Sequence, residues 1–80
     1  MKKLLSYLLE EILESKDFEI VEEKDDNFTR LKVILPQELM GMAIGKEGRT
    51  IKSIRNILKI KAAIEKTGVY VFIEEKTPQS

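Results

Sequence analysis

From Lys3 to Ser15 the apolar residues Leu4, Leu5, Leu8, Leu9, Ile12 and Leu13 recur at spacings of three and four, a pattern that predicts an amphipathic helix. Lys16-Asp17 ends it. Phe18 to Glu23 predicts a short strand, Lys24-Asp25-Asp26-Asn27 is a cluster of turn formers, and Phe28 to Leu35 predicts a second strand. In that second strand Leu31, Val33 and Leu35 share one face, and Arg30 and Lys32 take the other. Two strands joined by so polar a turn predict a hairpin. Pro36 has no amide to give a ladder but suits a helix start, so Gln37 to Ala43 predicts a short second helix. Gly45-Lys46-Glu47-Gly48 breaks it. Arg49 to Lys66 is helical again, Thr67-Gly68 supplies a stop, and Val69-Tyr70-Val71-Phe72-Ile73 is the most strand-like run of the chain.

The predicted order is αββααβ, an α+β fold with a single domain over residues 1–75 and a flexible tail over 76–80. The hairpin makes the first two strands antiparallel, and the two helices before the last strand form a crossover that lays it parallel to the second. A three-stranded mixed sheet follows, with the second strand central and three helices on one face.

On a helical wheel, residues 49 to 66 divide into three faces. Ile51, Ile54, Leu58 and Ala62 form the stripe expected to meet the sheet. Arg49, Lys52, Arg55, Lys59 and Lys66 gather beside it with no acid among them. Ile57, Ile60 and Ile64 make a second apolar stripe, more than one small core needs; Ile57 and Ile64 could pack on the first helix, whereas Ile60 has no obvious partner within a monomer, so self-association and intramolecular packing both stay open.

Composition narrows the chemistry. Eighty residues bury about 60% of the surface of the unfolded chain, which leaves little room beyond one core. With neither cysteine nor histidine, the chain lacks thiolate nucleophiles, the usual zinc ligands and the commonest general base. Glu22 and Glu23 are sequential on a strand, point to opposite faces and cannot act as a carboxylate pair. The expectation is no catalytic residue, no metal, no cofactor and no small-molecule substrate. Acidic residues interrupt the first apolar run and no segment approaches the length of a membrane span, so the expected location is cytoplasmic, without a membrane partner. The formal net charge of zero hides a gradient: residues 1–40 carry six basic and ten acidic groups (−4), and residues 41–80 carry eight and four (+4). The basic half could attract a polyanion.

At the centre of that half, Gly45-Lys46-Glu47-Gly48 leads directly into the basic helix. Glycine at each end of the turn permits special backbone angles and lets a ligand backbone approach, and the helix N-terminus adds its free amides and dipole. A nucleotide-binding P-loop is a poor match: Gly41-Met42-Ala43-Ile44-Gly45-Lys46-Glu47 is one spacer short and lacks the hydroxyl for magnesium. A DNA-binding helix-turn-helix is opposed by the flanking strands and the short preceding helix. The third reading is a KH domain, whose G-x-x-G loop clamps the backbone of about four single-stranded nucleotides.

The run from Met40 to Arg55, MGMAIGKEGRTIKSIR, resembles the signature of the small bacterial single-KH proteins, the KhpA or YlqC-like family, over residues 1 to 75 or so. The resemblance implies the type II (prokaryotic) KH fold and non-catalytic binding of single-stranded RNA, as an RNA chaperone or post-transcriptional regulator connected with cell shape and cell wall organisation. It also implies a homodimer, or a heterodimer with a larger KH protein (KhpB, also called Jag or EloR). Carried over by position, Gly45, Lys46, Glu47 and Gly48 would be the clamp. Ile44, Arg49, Thr50, Lys52 and Arg55 would flank the groove, with Ile34 as a wall; the second apolar stripe of the wheel, Ile57, Ile60 and Ile64, is the expected dimer interface. Two departures stand out: Met42 where relatives often carry a base, and Ile60-Lys61 in place of a smaller pair. With no aromatic platform at the loop, binding should be micromolar and loosely sequence-specific. The alternative is a KH-fold protein-interaction module working through Ile57, Ile60 and Ile64.

Overall fold

A computed structural model describes residues 1–76. The elements are α1 (Lys2–Leu13), β1 (Glu19–Lys24), β2 (Phe28–Leu35), α2 (Gln37–Ile44), α3 (Arg49–Ile64) and β3 (Gly68–Glu75), with a 3-10 turn at Lys46–Gly48 joining α2 to α3. The αββααβ order is as expected. So is the sheet, in strand order β1-β2-β3, with β1 and β2 antiparallel from Glu19↔Ile34 to Lys24↔Thr29 and β2 and β3 parallel from Phe28↔Gly68 to Leu35↔Glu75.

The core lies between the sheet and the three helices. Leu5, Leu9 and Leu13 place one stripe of α1 into it, and Ile51, Ile54 and Leu58 do the same for α3. Ile20, Leu31, Val33, Leu35 and Val71 meet them from the sheet. Alternation along the strands sends Val21, Arg30, Tyr70 and Phe72 to the opposite face, which stays exposed.

Element ends differ from expectation for local reasons. α1 stops at Leu13 because Glu14 turns left-handed (φ 52°) and donates its amide to the Glu10 carbonyl at 2.9 Å. α3 stops at Ile64, since Lys66 takes the left-handed position (φ 58°) and the Thr67 amide bonds the Ala62 carbonyl at 2.9 Å. Gly68 therefore does not end the helix; it opens β3 opposite Phe28, where an added Cβ would lie 3.4 Å from the Phe28 Cβ. At the other end of β3, the Lys76 amide donates to the Leu35 carbonyl at 2.6 Å, so pairing runs one residue past the expected domain end. The rest of the expected tail, residues 77–80, lies outside the described residues.

Candidate nucleic-acid interface

Pro36 caps the start of α2 with φ −66°, and its carbonyl accepts the Leu39 amide at 3.0 Å. At the far end of α2, Ala43 is wholly buried and its neighbours Met42 and Ile44 are exposed. Ala43 thus anchors the approach to the glycine turn. Ile44, expected to flank the groove, is 37% exposed and supplies no core anchor.

The chain then reverses hand. Gly45 (φ 79°, ψ 171°), Glu47 (φ 58°, ψ 24°) and Gly48 (φ 76°, ψ 15°) all have positive φ, with Lys46 between them. A Cβ on Gly45 would collide with the Thr50 hydroxyl and sit 2.8 Å from the Thr50 amide nitrogen, so glycine is required there for space as well as for angle. At Gly48 a Cβ would meet nothing closer than an Ile51 methyl at 4.0 Å, and only the angle favours glycine. The turn consumes some of its own donors: the Gly48 amide bonds the Gly45 carbonyl at 3.1 Å, and the Arg49 amide bonds the Lys46 carbonyl. Lys46 and Glu47 occupy the first positions of the turn, where a helical amide has no preceding carbonyl to reach. The open backbone is accordingly narrower than a bare helix terminus.

The Lys46 and Glu47 side chains face solvent. Glu47 carries its carboxylate to within 3.7 Å of the Arg49 guanidinium, both groups being mostly exposed, so the pair contributes little to stability and mainly trims the local positive field. Beyond it, Lys52, Arg55 and Lys59 continue along the exposed side of α3. Arg55 is tied down: its Nη2 donates to the Val71 carbonyl at 3.1 Å and bridges α3 to β3. A hollow of about 300 Å³ lies in that seam, lined by Arg55, Lys59, Val69, Tyr70, Val71 and Phe72, with no acid among them.

Of the residues singled out in the sequence, the fold gathers Ile44 through Lys52 at the turn and Arg55 one helical turn further on. Thr50 packs on Gly45. Two residues fall elsewhere. Ile34 has the outward parity on β2, and it borders a separate hollow of about 180 Å³ with Lys16, Phe18, Pro36 and Lys76. It cannot be a wall of a groove on the helix side, because the pleat alternates side chains between the faces. Lys66, grouped with the basic face by the wheel, lies past the end of α3. Ile57, Ile60 and Ile64 are 40%, 65% and 73% exposed, so packing on α1 does not absorb the second stripe.

The sequence reading missed how Gly45 interlocks with Thr50 and how Lys59 and Phe72 come to line one hollow in the seam. The first had a visible signal in a glycine five residues before a hydroxyl at the start of a helix; the second depends on how α3 sits along β3. Among the described residues no group of three His, Cys, Asp or Glu is placed to hold a metal ion, and no helix is long and apolar enough to cross a membrane.

Comparison with known proteins adds three findings. The family model described as KhpA/KhpB, KH domain, matches residues 2–73. The RNA-binding protein KhpA of Thermotoga maritima is 36% identical over 59 residues, covering 72% of this chain and 79% of the relative. A crystal structure of an Aquifex aeolicus Era variant bound to GDP·AlF4⁻ matches 95% of this chain with a TM-score of 0.61 at 16% identity, a likeness of fold alone, and this chain spans 31% of that one.

Proposed function

The chain belongs to the KhpA/KhpB family of KH domains, and from that premise we propose that it is a non-catalytic protein that binds single-stranded RNA. The backbone of the strand runs against Gly45-Lys46-Glu47-Gly48, and its bases lie along the α3–β3 seam. The observation that carries this reading is the turn itself: three positive-φ residues in four, with Gly45 leaving no room for a Cβ, at the head of a helix whose exposed side is basic. Such a turn admits a phosphate backbone closely, while Lys46 and the α3 terminus favour its charge. Arg49, Lys52 and Arg55 supply further cations, and Ile44 offers an apolar surface beside the turn. The name of the Thermotoga maritima relative points the same way. The role that fits is an RNA chaperone or post-transcriptional regulator in the cytoplasm.

The direct test replaces Lys46 and Glu47 together with Asp and measures fluorescence anisotropy with a labelled single-stranded RNA. The double variant should keep its circular dichroism spectrum and lose binding by at least tenfold. Undiminished binding would sink the clamp.

A second reading rests on the exposed stripe Ile57, Ile60 and Ile64. It provides an interface for a second copy or for a larger KH protein of the same family, and pairing two grooves would raise avidity for RNA. Ile60→Glu should convert a dimer to a monomer in sedimentation, at little cost to thermal stability. An unchanged sedimentation coefficient would remove this interface.

A further inference from the structure

The face of the sheet turned away from the helices holds three of the chain's five aromatic residues (three Phe, two Tyr). Tyr70 and Phe72 are 54% and 48% exposed, and their rings lie nearly parallel (21°) with centroids 6.5 Å apart. Phe28 meets Tyr70 edge-on at 5.7 Å. The strand register sets a cation directly across from each β3 ring, Arg30 opposite Tyr70 and Lys32 opposite Phe72. Arg30 also lies 5.1 Å above the Phe28 ring. Rings beside cations form a surface on which unpaired bases stack while their phosphates are neutralised.

This surface is continuous with the seam assigned to RNA. A concavity of about 860 Å³ covers the outer face, and Arg55, Tyr70 and Phe72 line both it and the seam hollow on the other side of the β3 edge. Among the described residues, Arg30 and Arg55 have no acidic partner within salt-bridge distance, and Lys32 reaches Glu74 only at 3.9 Å. The acids that face the same way from β1, Glu19 and Glu23, would repel a polyanion and confine its path to the β2–β3 half.

We propose that the outer face of β2 and β3 is a second contact for the same single-stranded RNA. On leaving the seam the strand crosses the β3 edge at Arg55, and its next bases stack on Tyr70 and Phe72 while Arg30 and Lys32 hold its phosphates. The proposal rests on the clamp reading for the first part of the path and extends the bound strand beyond the clamped nucleotides.

The experiment compares an eight-nucleotide oligouridylate with versions in which the bases of one flank are removed and every phosphate kept, so that stacking is separated from charge. The wild-type protein should bind the fully based RNA about tenfold tighter than the weaker abasic version, in line with the loss of one or two stacked bases. A Tyr70→Leu/Phe72→Leu variant, which keeps the apolar bulk without the rings, should bind both alike. Equal binding of based and abasic RNAs by the wild type, or a difference that survives in the leucine variant, overturns the proposal. So does a leucine variant that alters sedimentation and no RNA affinity, because the face would then seat a protein. The Lys46/Glu47 double-Asp variant separates the two readings: if it binds tetranucleotide as well as the wild type does, the clamp fails, and a persisting abasic difference would leave the outer contact standing alone.

Discussion

Gly45→Ala is the substitution that most directly probes the turn. At φ 79° and ψ 171° the residue sits in a region open almost solely to glycine, so any side chain there costs about 1–3 kcal/mol in backbone strain. The new methyl would also collide with the Thr50 hydroxyl and lie 2.7 Å from the Thr50 Cβ and 2.8 Å from its amide nitrogen. Because two of those three atoms belong to the first turn of α3 rather than to a flexible side-chain end, relief requires moving the helix, at a further cost of about 1–3 kcal/mol. The alanine stiffens the unfolded chain and returns about 0.4–1 kcal/mol, which leaves a net loss near 3 kcal/mol. For a domain of this size that lowers the melting temperature on the order of 15 °C. Gly48→Ala is the internal control, since it meets the left-handed penalty of about 1–2 kcal/mol, less the same unfolded-state term, without a collision; it should cost a few degrees. Thermal and urea unfolding of both variants, and of Gly45→Ala combined with Thr50→Ala, measures the difference. The double variant should regain less than half of the loss, because the Thr50 Cβ and amide nitrogen remain. If Gly45→Ala is no worse than Gly48→Ala, steric exclusion at Gly45 is refuted.

Glu47→Asn should stabilise the protein by about 1 kcal/mol, because asparagine tolerates the left-handed backbone that glutamate is forced to hold at φ 58°; a lowered melting temperature would show that the carboxylate near Arg49 matters more than the backbone. Removing that carboxylate should also tighten RNA binding at low salt. If Lys46, Arg49, Lys52 and Arg55 neutralise about three or four phosphates, the logarithm of the RNA association constant should fall with the logarithm of salt concentration at a slope of about −2 to −3. A slope near zero would rule out a phosphate-led mechanism.

Much of the fold was legible because it rests on local rules. The three-and-four spacing of α1 and α3, the alternation in β2, the polar turn at Asp25-Asp26 and the proline before α2 each carry their meaning within a few residues, and connectivity then leaves few arrangements of three strands. The turn at Gly45 to Gly48 was legible for the same reason. Where a helix stops was less so: Lys66 rather than Gly68 takes the left-handed position at the end of α3, since hydrogen bonds back to Ala62 and Ala63 outweigh the modest preference of one residue type for that angle.

The order of elements, the two apolar stripes, the basic side of α3 and the need for glycine in the central turn all follow from periodicity and backbone sterics along the chain. Packing in three dimensions settled the rest: Ala43 anchors the turn while Ile44 is exposed, and Arg55 ties α3 to β3 through the Val71 carbonyl. The register of two parallel strands, separated by thirty-two intervening residues, is what sets Arg30 against Tyr70 and Lys32 against Phe72. Alternation assigns each side chain to a face, but which residues become neighbours across a sheet is settled by the packing of everything between them.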